Sequence, residues 1–244
     1  MKLTEALHRK INEGVNDPGI FKAIFLAGGP GSGKSFVAGE VMGSPKNLSF
    51  SVDGLKVINS DPEFEYFLKK QGVDPSSLGQ LSDKEIEKLT VGPDSPREKA
   101  KTVKKAKEKL YIQGGLGLLI DGTGDDYAKI RGKRQELIKY GYDTYMVFIN
   151  TTLEVAQERN AQRDRVLPEK MVKKIWTDVQ KNMGRFQGLF KQNFIIIDNT
   201  EVRVAKGENR LFEKHIYMAV KQFMRKPIKS GIAKTWIKQQ GGRA

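Results

Sequence analysis

Residues 28–35 read Gly28-Gly29-Pro30-Gly31-Ser32-Gly33-Lys34-Ser35, directly after an apolar, β-forming run from Phe21 to Ala27. The spacing fits G-x-x-x-x-G-K-[ST], with Gly28, Gly33, Lys34 and Ser35 in the fixed places. Glycines accept positive φ and carry no Cβ, so the chain can wrap closely round an anion. The N–H groups of such a loop converge on a phosphate, and the helix that opens near Lys34 adds the positive end of its dipole. Residues 28–36, Phe36 included, therefore form the expected nucleotide-phosphate site. Lys34 is placed to reach the β- and γ-phosphates, and Ser35 to ligate Mg²⁺.

The rest of the chain supplies the scaffold such a loop requires. Apolar runs at Leu55–Asn59, Leu116–Ile120, Thr144–Ile149 and Phe194–Ile197 read as strands, separated by helical stretches. Strands alternating with helices predict a parallel sheet with right-handed crossovers. The predicted fold class is α/β: a P-loop NTPase three-layer fold with a mostly parallel central sheet and a helical insertion. Leu3–Glu13 reads as a short amphipathic helix. The insertion, residues 71–115, carries two capping boxes, Ser82 with Glu85 and Ser95 with Glu98. The second box opens a long helix bearing Lys99, Lys101, Lys104, Lys105, Lys107 and Lys109, which reads either as a solvated face or as a mobile lobe over an anionic substrate. After Pro227 the pattern weakens, and a loose arm is expected.

Cysteine is absent and only His8 and His215 offer imidazole, so neither disulfides nor a thiolate metal site is available. No apolar run approaches the ~20 residues of a membrane span, and no apolar segment follows Met1-Lys2-Leu3 as a signal peptide would require. A cytoplasmic location is the default. The formal net charge is +14, and eight cations with no acid lie between Lys214 and Ala244. Nucleic acid is thus a candidate partner through the basic helix and tail.

Three constellations add chemistry. Asp121 ends a buried strand, where an acid that binds Mg²⁺ through water sits; as an alternative it caps the following turn. Gly122 follows it, not the glutamate that many hydrolytic ATPases use to activate water, and no Asn-Lys-x-Asp supports guanine binding. Asp61, in Asn59-Ser60-Asp61-Pro62, either orients an acceptor hydroxyl or serves as a plain N-cap before Pro62. Phosphoryl transfer tolerates a weak base, because its transition state is loose and the hydroxyl loses its proton late. Arg159 and Arg163, four apart, with Arg165 near the helix end, either neutralise a transferring γ-phosphoryl group or form surface salt bridges. Trp176 and Phe186 read as core rather than as base-stacking platforms.

With these residues in view, the chain resembles the zeta-toxin-like P-loop kinases and the related kinase half of polynucleotide kinases. The matching pieces are the loop Gly28–Ser35, Val57-Ile58-Asn59-Ser60-Asp61, Leu119-Ile120-Asp121-Gly122-Thr123, and Arg163-Asp164-Arg165-Val166-Leu167-Pro168. It is similar in particular to predicted kinases of tailed bacteriophages, which would place it in the host cytoplasm. The resemblance spans about Phe21 to Asp198 and implies ATP and Mg²⁺ as cofactors. It implies Asp61 as the residue that orients the acceptor, Asp121 and Thr123 as part of the acceptor site, and Arg159, Arg163 and Arg165 as lid arginines. Asp121 departs from the glutamate usual in zeta toxins, and so from their sugar-nucleotide substrate. The expected organisation is an N-terminal helix and turn (1–20), a P-loop kinase domain (21–226) and a basic tail (227–244). The expected activity is transfer of the ATP γ-phosphate to a nucleotide-, nucleic-acid- or sugar-type acceptor. The alternatives are a nucleic-acid-binding ATPase and a non-catalytic ATP-binding factor.

Overall fold

The computed structural model describes residues 14–38, 54–162, 166–200 and 209–243. Its centre is a five-stranded sheet formed by β1 (Lys22–Ala27), β2 (Lys56–Ile58), β3 (Leu118–Asp121), β4 (Asp143–Asn150) and β5 (Phe194–Asp198). The order is β2-β3-β1-β4-β5, and every pairing is parallel. β1 therefore lies in the middle. The chain leaves it for β2 on one side and later returns to β4 on the other, which makes the carboxyl end of β1 the natural crevice for a ligand.

Parallel strands need helical crossovers that cover both faces, and the period-2 alternation of β1 shows how this is met. Ala23, Phe25 and Ala27 point to one face, where they join Met146, Phe148, Val179 and Phe186. Ile24 and Leu26 point to the other, joining Val37, Val147, Ile149 and Phe223. The first face is covered by α5 (Tyr127–Lys139), α7 (Glu169–Phe190) and α9 (Gly231–Gln239). The second is covered by the start of the helix after the glycine loop, α1 (Lys34–Phe36), and by α8 (Asn209–Arg225). Phe186 is fully buried, as expected of a core residue. At the first position of β1, Lys22 is only 1% exposed; its ammonium pairs with Asp143 at 2.8 Å and lies over the Phe223 ring.

The segment 71–115 shares a small core with the helix that precedes it. α2 (Asp61–Lys70), a 3-10 turn at Pro75–Gln80, α3 (Asp83–Thr90) and α4 (Pro96–Gln113) bury Phe64, Leu68, Leu78, Leu89 and Ala100 together. Of the two predicted capping boxes, Ser82 and Glu85 make the reciprocal pair, whereas at the second only the Ser95 hydroxyl accepts from Glu98 N–H; the Ser95 N–H donates to the Gly92 carbonyl and the Glu98 carboxylate pairs with Lys101. The long basic helix is thus packed along α2, to which Lys107 is tied by an ion pair with Glu63 at 2.6 Å.

Several boundaries differ from expectation. Asp61 is the first helical residue of α2, and Ser60 is the N-cap; the Asp61 N–H donates to the Asn59 side chain at 3.0 Å. The plain N-cap reading of Asp61 therefore fails, and its carboxylate is left for other partners. Asp126 caps α5, accepting from Lys129 N–H, and α7 runs on to Phe190. The expected helix at Leu3–Glu13 and the end of the glycine-loop helix lie outside the described residues.

The stretch after Pro227 is not a loose arm. It folds into α9, whose Ala233 and Ile237 are buried and whose Trp236 meets Phe21 edge-on at 5.4 Å. Phe21 sits in the left-handed region at φ 51, a costly conformation for a bulky residue. Tyr142 and Trp236 pack around its ring on two sides, which offsets that cost. The physical reason for the missed helix is that only two side chains of a short, basic helix need to be buried, too few for a visible period. Ile237→Ala should cost about 2–5 kcal/mol by leaving a cavity at the sheet's edge. Urea unfolding measures this directly, whereas a loose arm would leave the midpoint unchanged.

Candidate active site

The glycine loop leaves the carboxyl end of β1 and is held from outside by contacts to its backbone. The N–H of Gly28 donates to the Thr123 carbonyl at 2.9 Å, so the turn after β3 and the loop after β1 are one unit. Arg159 of α6 (Leu153–Ala161) donates to the Gly31 carbonyl at 3.3 Å and to the Asn199 carbonyl at 2.8 Å. Asn199, just past β5, donates through Nδ2 to the Ser32 carbonyl at 2.8 Å. The Lys34 ammonium donates to the carbonyls of Gly28 and Gly29. A loop that turns its N–H groups toward an anion turns carbonyls outward, and these three side chains accept that duty.

The glycines are required by space as well as by conformation. A Cβ on Gly31, at φ +73, would stand 2.8 Å from the Ala156 Cα. Gly33 adopts φ +92 as the residue that precedes α1. Ser35 is exposed on the first turn of α1, where its hydroxyl is available to a ligand. This is the cradle a nucleotide's phosphates need, and its backbone geometry fits them.

Asp121 ends β3 opposite Leu26 of β1, next to the loop. One carboxylate oxygen accepts from Asn59 Nδ2 at 3.1 Å; the other is buried and has no hydrogen-bond partner among the described residues. Burial pushes the carboxyl above its ordinary range, Lys34 opposes that shift, and Asp61 adds to it. An acid that keeps one oxygen unsatisfied in a dry place is poised for a cation. Together with the Ser35 hydroxyl it forms a donor set that suits Mg²⁺. The reading of Asp121 as a turn cap has no hydrogen bond to support it.

Asp61 stands at the carboxyl end of β2 with its side chain 59% exposed, and it pairs with Arg97 of α4 at 3.0 Å. Arg97 also lies over the Phe64 ring at 5.0 Å. The helical segment thus reaches back to the predicted acceptor residue. Beyond Asp121 a cleft of about 560 Å³ opens between α4 and α5, floored by the turn Asp121–Asp126. Thr123 and Asp125 hydrogen-bond to each other in this floor, and Asn182 of α7 holds the carbonyls of Gly124 and Asp125.

The structure therefore brings Lys34, Ser35, Asp61, Asp121 and Thr123 to one edge of the sheet. Arg159 is there too, but as a strut on the loop's backbone rather than as a lid. Arg163 and Arg165 lie outside the described residues. Trp176 is half-buried and donates to the Thr151 carbonyl at 2.8 Å. Sequence reasoning missed Asn59, Arg97 and Asn199. Asn59 and Asn199 each follow a strand's carboxyl end, a position that could have drawn notice; Arg97 sits in a helix whose docking the sequence does not reveal.

Two outcomes follow. Gly31→Ala meets the Ala156 backbone in a strained conformation, at about 1–3 kcal/mol, and should weaken ATP binding by about tenfold or more; titration calorimetry reads it, with circular dichroism as the folding control. For Asp121 the folded pKa lies above the unfolded one, so its contribution to stability is present at low pH and is lost as pH rises through the folded value. Asp121→Asn should then raise the melting temperature at neutral pH without nucleotide, and should reduce the further stabilisation given by ATP with Mg²⁺.

A family model described as an AAA domain (AAA_33) matches residues 24–185. No curated protein sequence matches the chain. Among solved structures, the AvrRxo1-ORF1:AvrRxo1-ORF2 complex aligns with a TM-score of 0.53 at 11% identity, covering 95% of this chain and 82% of that one. The PezAT chromosomal toxin–antitoxin system of Streptococcus pneumoniae aligns at 0.51 and 15% identity, covering 91% and 96%. A candidate kinase of Chloroflexus aurantiacus aligns at 0.51 and 13% identity, covering 83% and 97%. At these identities the likeness is one of fold, and it lends no support to the resemblance to bacteriophage kinases. The family match spans the phosphate loop, both strand-end acids and the helices between them, and the chain belongs to the AAA_33 family, with the fold of the P-loop kinases.

Proposed function

We propose that the chain is an ATP- and Mg²⁺-dependent phosphotransferase. The observation that carries this reading is the position of Asp121. Its buried, unsatisfied oxygen lies between the phosphate loop on one side and a cleft of about 560 Å³ on the other, with Asp61 close enough to influence its charge. Donor site and acceptor cleft are contiguous, which is what transfer between two bound molecules requires.

In this reading Lys34 leaves the carbonyls of Gly28 and Gly29 and turns to the β- and γ-phosphates. Ser35 and Asp121 would hold Mg²⁺, which would supply positive charge to the phosphates. Asp61 exchanges Arg97 for the acceptor hydroxyl and orients it for in-line attack. The acceptor oxygen forms a bond to the γ-phosphorus as the bond to the β,γ-bridging oxygen breaks. The hydroxyl proton passes to Asp61 late, and ADP departs. Arg159 acts as a positioning residue through the loop; a direct role on the γ-phosphoryl group belongs, in this proposal, to Arg163 and Arg165. The family and the candidate kinase of similar fold support the reaction class. Among the described residues no helix is long and apolar enough to cross a membrane.

The test is transfer of labelled γ-phosphate to 5′-hydroxyl oligonucleotides, nucleosides, nucleoside monophosphates and sugar phosphates. Label should move to one acceptor class, and Lys34→Ala and Asp61→Asn should each slow it by about 10²-fold or more. Label released only as free phosphate, at a rate indifferent to Asp61→Asn, would sink the kinase reading in favour of a nucleic-acid-binding ATPase.

A further inference from the structure

The cleft between α4 and α5 is lined by six basic and five acidic side chains, and they are unevenly paired. The pairings can be followed one by one. Arg97 is engaged with Asp61, and Lys101 with Glu98 at 2.6 Å. Lys133 lies between Glu108 at 2.7 Å and Glu136 at 2.9 Å. On the floor, Asp126 is occupied by the backbone of α5 and Asp125 by Thr123. Lys104, Lys105 and Lys129 remain, and among the described residues none of them has an ion pair.

Lys104 is the informative one. It is half-buried, on the side of α4 that faces the cleft, and it makes no hydrogen bond among the described residues. Burial lowers its pKa; Glu108 opposes this, while Lys129, Lys133 and Arg97 add to it. Lys104 and Lys129 therefore line one half-dry volume without an ion pair of their own among the described residues, an arrangement that a bound anion would relieve. The volume is of the size that takes a small molecule.

We infer that this cleft binds a phosphate monoester through Lys104 and Lys129, so that the acceptor is a hydroxyl compound already bearing a phosphate. The anion site stands on the cleft itself; naming its occupant the acceptor rests on the kinase reading above. Asp121 lines the same cleft as Lys104 and Lys129, and Asp61 follows Ser60 of its lining, so one molecule can present its hydroxyl to the acids and its phosphate to the lysines.

Pyridoxal 5′-phosphate provides a probe that does not depend on turnover. It condenses with a lysine amine beside a phosphate site, and borohydride makes the link permanent for peptide mass spectrometry. The full chain is labelled with a non-hydrolysable ATP analogue and Mg²⁺ present, to keep the probe from the phosphate loop. Lys104 should react about fivefold or more faster than Lys109, which is exposed on the same helix, because a desolvated amine is more often neutral. Inorganic phosphate should slow that reaction, glycerol at the same concentration should not, and Lys129→Met should abolish the protection. Equal labelling of Lys104 and Lys109, or protection indifferent to phosphate, overturns the inference. Protection by a 5′-hydroxyl oligonucleotide at a phosphate concentration where inorganic phosphate gives none also overturns it, in favour of a nucleic-acid track. If phosphate protects Lys104 but no panel member accepts label, the anion site stands and the kinase reading alone is lost.

Discussion

A backbone that presents its amides to an anion has to settle its carbonyls elsewhere, and much of this fold can be understood as the answer to that demand. The loop after β1 is surrounded by donors that come from distant parts of the chain: Lys34 from its own helix, Arg159 from α6, and Asn199 from the end of β5. Each carbonyl left unpaired in a partly buried place would cost about 1–3 kcal/mol. The sheet order makes the solution possible. With β1 in the middle, its loop is flanked by the ends of β3 and β4, and β5 lies one strand further out.

The same geometry separates two environments at one edge. On the β4–β5 side, the contacts to the loop are neutral amides and a guanidinium whose pKa is lowered by burial. On the β3–β2 side stand the acids Asp121 and Asp61, backed by the basic helices α4 and α5. Charge is thus distributed across the crevice, with the rigid, hydrogen-bonded half holding the loop and the ionic half facing the cleft. The ion pair of Asp61 with Arg97 belongs to the second half and is exposed, so solvent screens it and its exchange for another partner costs little.

How much of this was legible beforehand depended on whether the information was local. The glycine loop, the strand-end acids and the capping box at Ser82 are short patterns with a fixed physical meaning, and each appears where its spacing predicts. The strands of the core showed as apolar runs, because a parallel sheet is buried on both faces. What could not be read was long-range. Asn199 is 167 residues from the carbonyl it holds, and nothing near it marks it as a donor to the loop. Arg97 resembled its lysine neighbours until the packing of α4 along α2 brought it to Asp61. Arg159 was expected to face a phosphate and instead faces backbone, since a guanidinium satisfies carbonyls as readily as anions. The helix after Pro227 hid because its two buried side chains leave almost no period.

Asn199 also separates recognition of a motif from competence of a site. The family match ends at residue 185, yet the side chain that holds the Ser32 carbonyl, and the main-chain oxygen that receives Arg159, both lie fourteen residues further on. A fragment cut to the matched span would keep every letter of the phosphate-loop signature. It would lose β5, and with it two of the ties that keep the loop in shape. In this chain the folding unit around the phosphate loop is therefore larger than the stretch by which the family is recognised, and a boundary drawn from sequence similarity alone would fall inside the candidate site.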